Sequence, residues 1–469
     1  MRRALRYLMS AVVSAVVVVW AGCSAVRECK EPELNLPESI AGMDADSMTI
    51  ADVGWWEFYG DADLRYIIER TLEHNKKVLA AAARVEQLRE LYRIGKANRL
   101  PNLNFVAPFN NETNDYWQES PLRDPEFGLK FSIRWELDFW GNLRWAKRKA
   151  GAEYEATIED ERAVRMMLVA EAASAYFRLV ALDNELEIVR RTMNTRLEGV
   201  EMARIRFEGG VTNEIVYRQA QMEYAMVATR IPDLEYGIQV LENALALLMG
   251  EYPDLEISRS GGLQDDDLPE RLPVGVPSVL LQRRPDVRAS EQRLKASMAA
   301  VGVAYADRFP RMIIDLTGGV EDNGLRGLLR SPFSYIAETL TAPIFGFGRK
   351  RAKYKASIAA YDEARFNYEQ KVLEVFKEAD DAVAYCESTR SASALRERQL
   401  NAAREYDRLT HSQFTAGSIR YLDVLDAQRR YLEAQIGMNN AIRDEHLALV
   451  QLYKVLGGGW QIEDSGDEK

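Results

Sequence analysis

Phe127-Gly128-Leu129-Lys130-Phe131-Ser132-Ile133-Arg134-Trp135-Glu136-Leu137-Asp138-Phe139 alternates large apolar residues with small or charged ones at every step. A period of two describes a strand with two unlike faces, because successive side chains leave a pleated strand on opposite sides. Two environments suit such a strand. In a soluble sandwich the apolar side would cover a core. In a transmembrane barrel it would face lipid and the polar side a wet lumen, and about 9–11 residues suffice to cross.

Working outward, Leu103, Phe105, Ala107 and Phe109 mark a weaker strand upstream, with the polar stretch 110–126 as the connecting loop. A second hairpin follows at 312–320 and 333–344, joined through 321–332. Two hairpins make four strands, yet the smallest barrels have about eight. An open edge in lipid would leave backbone groups unpaired at several kcal/mol each. The barrel reading therefore demands an oligomer, and three chains supply twelve strands.

Each hairpin leads into a long helical pattern. Leu168, Ala172, Ala175, Leu179, Leu182, Leu186, Val189 and Met193 step alternately by four and three, the spacing of a packed helical seam. In the second half Tyr354, Ile358 and Tyr361 open such a seam, and Tyr368, Val372, Val375, Ala379, Ala382 and Cys386 continue it. The pattern from Arg349 to Ala416 predicts a helix of roughly 100 Å at 1.5 Å per residue. Return helices are predicted over 213–249 and 420–456, with a kink or break at Pro232. An earlier helix is predicted over 64–98, ending before Pro101.

These elements repeat. Phe207–Gly250 returns as Phe414–Gly457 at an offset of 207, matching Gly210 with Gly417, Ala220 with Ala427, Gln221 with Gln428 and Tyr224 with Tyr431. Upstream, Asn75–Pro101 matches Arg284–Pro310 at an offset of 209. A duplicated plan decides the architecture: mainly α with a β membrane part, long antiparallel helices, and four strands per chain. The expected divisions are 1–22 signal peptide, 23–60 lipidated tether, 61–250 first repeat, 251–277 linker, 278–457 second repeat and 458–469 tail.

Arg2, Arg3 and Arg6 precede an apolar run from Leu8 to Trp20, too short to span a bilayer as a helix and suited to a signal peptide. Small residues before Cys23 resemble a bacterial lipobox, in which that cysteine is acylated; the alternative is an ordinary signal peptide with an incidental cysteine. Since Ser24, not an aspartate, follows Cys23, the lipobox resemblance implies outer-membrane delivery. With three cysteines no disulfide framework is expected. A net charge of −11 argues against nucleic acid. Three separated histidines, no phosphate-cradling loop and no nucleophile elbow argue against a metal site, a cofactor and an enzyme.

Two features remain. The turns Gly209, Gly210, Val211, Thr212 and Ala416, Gly417, Ser418, Ile419 would form helix-hairpin tips able to dock another protein; their glycines also suit plain helix caps. Asp423 and Asp426, spaced by three, share a helix face. In a trimer they would ring an entrance, while acidic residues early in a helix also offset its macrodipole. Val216 and Gln219 stand at the matching positions of the first repeat, so only the second hairpin is acidic, and it is expected to be the mobile inner one.

With these residues in place, the chain resembles the TolC-like outer-membrane efflux proteins, in particular their OprM-type lipoprotein branch. The likeness covers nearly the whole mature chain. It is carried by Cys23, by Trp55, Trp56, Phe58, Asp61 and Leu64, by Arg283-Arg284-Pro285-Asp286-Val287-Arg288, and by Tyr421-Leu422-Asp423-Val424-Leu425-Asp426-Ala427-Gln428. The resemblance implies a homotrimer with a twelve-stranded barrel in the outer membrane, a helical tunnel through the periplasm, and a gate lined by Asp423 and Asp426. It also implies a periplasmic adaptor and an inner-membrane RND transporter as partners. Where the family latch has an arginine two residues after the tip glycine, this chain has Ile419, with Arg420 next, so other latch partners are expected. A type I protein-secretion duct of the same fold and a non-channel envelope lipoprotein are the alternative readings.

Overall fold

A computed structural model describes residues 29–30, 32–37, 39, 49, 54, 60–114, 122–253, 257–259, 277–341 and 346–459. The signal peptide, Cys23, the Trp55-Trp56-Phe58 cluster, most of the 251–277 linker and the C-terminal tail lie outside them. The helices are α1 (Ala62–His74), α2 (Lys76–Ala97), α3 (Asn142–Glu208), α4 (Glu214–Ala228), α5 (Arg230–Leu248), α6 (Pro277–Arg283), α7 (Pro285–Ala306), α8 (Arg349–Thr415) and α9 (Tyr421–Val455). The strands are β1 (Asn102–Val106), β2 (Phe109–Asn114), β3 (Leu122–Leu137), β4 (Arg311–Asp322) and β5 (Pro332–Thr341).

The chain divides into two compact units, and each 67-residue helix, α3 and α8, contributes to both. One unit holds the sheet with the adjoining ends of the helices. All strand pairs are antiparallel, in the order β1-β3-β4-β5, with β2 end to end with β1 along β3. Pro108, which has no N–H, separates β1 from β2, and its carbonyl accepts Gly128 N–H at 3.0 Å. The expected loop 110–126 is shorter than its composition suggests. Asn110–Asn114 pairs residue for residue with Leu122–Glu126, since backbone pairing needs no apolar side chain. Phe139 leaves the strand: Asp138 accepts the N–H groups of Leu143 and Arg144 at 3.0 and 2.8 Å, and Gly141 at φ 77° turns the chain into α3.

The other unit is a helical bundle. Leu168, Ala172, Ala175, Leu179, Leu186 and Val189 are buried, as are Val372, Val375, Ala379, Ala382 and Cys386, so the seams read from the sequence form its core. The helix expected over 64–98 is broken at Asn75, whose backbone turns extended while its side chain accepts Lys77 N–H at 2.8 Å. The return helix is broken at Thr229, three residues ahead of Pro232, where the missing N–H and the ring act on the preceding turn. Cys386 is buried and its thiol pushed up to about 11 by desolvation; neither it nor Cys29 forms a disulfide.

Candidate functional site

The sheet is the first element with functional meaning. In antiparallel register, directly opposed residues share a face. One face carries Leu103, Phe105 and Phe109, then Phe127, Leu129, Phe131, Ile133 and Trp135, then Ile314, Leu316 and Val320, then Ile336 and Leu340. Phe105 meets Phe131 with tilted rings and centroids 5.0 Å apart, and Phe109 meets Phe127 likewise at 4.7 Å. Among the described residues no layer covers them: Phe131 is 56% exposed, Phe105 57% and Ile336 70%. The opposite face holds Lys130, Arg134, Glu136, Asp315 and Thr317, with Lys130 bridging Glu321 at 2.7 Å and Glu126 at 3.2 Å. This is the reverse of a soluble sandwich, which hides its apolar face.

At the foot of the sheet Asp307, buried at the end of α7, pairs with Lys350 at 2.5 Å, Arg311 at 2.8 Å and Lys353 at 3.3 Å. Burial disfavours its charge, but the three cations prevail and hold the carboxyl down at about 2.

The two predicted tips are Schellman caps. After α3, Gly210 at φ 71° donates to Phe207 O at 2.9 Å and Val211 N–H to Arg206 O at 2.8 Å. After α8, Gly417 at φ 75° donates to Phe414 O and Ser418 N–H to Gln413 O, both at 2.9 Å. Val211 and neighbouring Ile215 are exposed apolar residues beside the first tip. Arg206 lies over the Phe414 ring at 5.7 Å, so the two hairpin ends touch.

Asp423 and Asp426 sit on the first turns of α9, both partly exposed. Asp423 accepts Arg420 N–H at 3.1 Å and so caps its own helix, while Asp426 pairs with Arg430 at 2.8 Å. Leu425 faces the core and Leu422 is exposed.

Sequence reasoning missed a buried polar set beside them. Arg196 of α3 donates to Gln428 of α9 at 2.5 Å, and Glu223 of α4 pairs with Arg429 of α9 at 3.5 Å. Arg196 is buried with Nε and Nη2 unmatched; burial pulls its guanidinium below the usual range, against the Glu223 carboxylate. Gln428 was visible as a repeat landmark and as the end of the Tyr421–Gln428 stretch, but its partner lies 232 residues away.

Two further residues cap the return helices. Asn75 donates to Leu248 O at 2.8 Å, and Arg284 to Val455 O at 3.3 Å, while Arg284 also holds Asp286 at 2.7 Å and Glu378 at 2.6 Å. Burial works against the Arg284 charge, and the carboxylates of Asp286 and Glu378 override it. Among the described residues no metal-binding cluster is present, and no helix is long and apolar enough to cross a membrane.

Comparison with known proteins agrees with this geometry. The model of the family "Outer membrane efflux protein" matches residues 67–251 and 276–458. The chain is 30% identical to the outer membrane protein OprJ of Pseudomonas aeruginosa over 464 residues, covering 96% of each chain. It is 28% identical to the cation efflux system protein CusC of Escherichia coli, covering 95% of this chain and 98% of that one. Among solved structures, the open state of the Neisseria gonorrhoeae MtrE outer membrane channel superposes with a TM-score of 0.81 at 27% identity, covering 92% of this chain and 97% of that one.

Proposed function

The chain belongs to the outer membrane efflux protein family, and on that premise we infer that it is the outer-membrane channel of an efflux pump, working as a homotrimer. Small molecules leave passively through its lumen. Three copies close a twelve-stranded barrel whose apolar face meets lipid, and their long helices continue the duct into the periplasm.

One observation carries this reading: a sheet of four lanes that, among the described residues, has a bare apolar face and two unpaired edges, β1/β2 and β5. Four is even, so β5 of one copy meets β1/β2 of the next in antiparallel sense, and closure satisfies every edge. The duplication is supported by the caps: Gly210 and Gly417, Gly250 and Gly457, and the receiving carbonyls of Leu248 and Val455 all recur at an offset of 207.

Acylation of Cys23 fits the tether. Tyr361 Oη donates to Lys30 O at 2.8 Å. Tyr361 stands 12 residues into α8, about 18 Å from its start. Lys30, seven residues after Cys23 in the sequence, is thereby held within the unit that carries the sheet.

The gate is the entrance ringed by Asp423 and Asp426, and the tips 209–212 and 416–419 receive a periplasmic adaptor that couples the duct to an inner-membrane RND transporter. In place of the family arginine at Ile419, the latch uses Arg196 to Gln428 and Glu223 to Arg429, which tie α9 to the first hairpin. A buried cation with unmatched donors carries a penalty of about 1–3 kcal/mol per group, so the latch releases at small net cost.

The test is conductance of the purified full-length protein in planar bilayers. Small openings that enlarge when Asp423 and Asp426 become Ala support the duct. Silence in both the wild type and the variant sinks it.

A further inference from the structure

Below the apolar face of the sheet, the end of α2, the start of α3 and the side of α7 enclose a groove of about 570 Å³ lined by five cations and one carboxylate, Glu155. Two of the cations are already engaged, Arg144 with Asp138 at 3.4 Å and Lys295 with Glu291 at 2.7 Å. Arg99, Lys147 and Arg148 have no carboxylate partner among the described residues, Arg148 lying instead over the Trp145 ring at 4.7 Å. This excess stands out in a chain of net charge −11.

Three observations give the groove an occupant. Trp135, in the apolar row of β3, donates its indole N–H to Arg99 O at 3.1 Å, so the groove opens on the side of that row. Trp145 is rooted there against Gly302, where an added Cβ would overlap the indole at 2.3 Å. Indoles at this level are typical of a membrane–water boundary. The first turns of α3 and α8 carry no acidic residue; α3 places Arg144, Lys147 and Arg148 in its first two turns, and α8 opens with Arg349, Lys350 and Arg351. Asp138 offsets Arg144 and Asp307 offsets Lys350 at these helix starts, which leaves Lys147 and Arg148 facing the groove with no carboxylate of this chain on them among the described residues.

We propose that this groove seats the phosphate headgroup of an anionic phospholipid from the periplasmic-side leaflet, with the acyl chains lying along the apolar row above it. The site rests on the reading that this face meets a bilayer. Arg99, Lys147 and Arg148 hold the phosphate, and Trp145 walls the groove. A free phosphate would use the same cations but gain nothing from the adjoining apolar row.

Native mass spectrometry of the full-length protein from micelles doped equally with phosphatidylglycerol and phosphatidylethanolamine tests the site. The wild type is expected to retain phosphatidylglycerol preferentially. The variant Arg99→Gln/Lys147→Gln/Arg148→Gln is expected to lower that preference by at least about tenfold, since each cation near an anionic surface contributes about 1 kcal/mol. A control pair on α8, Arg351→Gln/Lys355→Gln, is expected to change it less than twofold. An unchanged preference in the triple variant, an equal fall in the control, or displacement of the lipid by inorganic phosphate would each overturn the proposal. Conductance is read separately: an inert bilayer with the lipid preference intact removes the duct and supports the headgroup site.

Discussion

Arg284 links three helices by side-chain bonds alone: it sits between α6 and α7, holds Glu378 of α8 and caps α9 at Val455. Arg284→Ala would leave two carboxylates facing a cavity and cost about 3 kcal/mol, read as lost helical signal on thermal melting. Asp61 does comparable work at the other corner. Its Oδ1 accepts Asp63 and Leu64 N–H at 2.8 and 3.1 Å, and its Oδ2 accepts the buried Tyr176 hydroxyl at 2.6 Å. Burial, then the Asp61 carboxylate, pushes the Tyr176 phenol up. Tyr176→Phe is expected to cost about 1 kcal/mol and Asp61→Ala about 2 by the same melt, since the latter also removes a cap. Asp307 adds a pH dependence. Its folded carboxyl lies near 2, below the ordinary 3.8, so its contribution is present above about pH 4 and drains away as pH falls toward 2. An acid titration of unfolding should show about 2 kcal/mol less pH dependence in that window for Asp307→Asn.

At the level of elements, the four Schellman caps matter because each turns a helix at a residue with positive φ. Gly417→Ala should cost about 1 kcal/mol, since a Cβ in the left-handed region is strained even where space is open. Hydrogen exchange across 413–420 should quicken while exchange in the seam around Ala379 stays unchanged; uniform quickening would deny the tip its local character. Gly250 differs in that an added Cβ would meet His74 O at 2.5 Å, so its substitution strikes both conformation and packing. The break before Pro232 belongs here too: the interrupted return helix has no counterpart in continuous α9, so the two hairpins differ in helix continuity as well as in acidity.

For the whole molecule, the decisive asymmetry is between neighbours in β3. Ile133 lies on the bare apolar face and Arg134 on the polar one. Ile133→Arg should cost about 2–4 kcal/mol if its face meets lipid, and remove the protein from outer-membrane fractions. Arg134→Gln should leave localisation unchanged. Equal behaviour of the two would contradict a lipid-facing sheet. Closure by three copies predicts a trimer mass in mild detergent, and charging the β5 edge by Ile336→Asp should shift it toward monomer.

Periodicity made the strands, the seams and the long helices legible before any coordinates, because period two and alternate four-and-three steps are local consequences of backbone geometry. The N-terminal limit of α8 falls on the expected residue and its C-terminal limit one residue short for the same reason. Position along the chain also sufficed to find the tips, since a glycine ending an apolar-periodic run has few other uses. What stayed hidden was set by partners far apart in sequence. Asn75 stands within the helix expected over 64–98, yet Leu248 O supplies its bond, and nothing in the sequence around Arg196 points to its burial beside Gln428. Asp423 shows the remaining limit: its helix face is written in the spacing, but the cap it gives Arg420 N–H depends on how the chain turns at the tip. Local pattern determines which elements form and which faces are apolar, because it acts through dihedral angles and side-chain direction. Only the tertiary structure decides which buried charges find each other, since a hydrogen bond a few ångströms long is insensitive to the hundreds of residues between its ends.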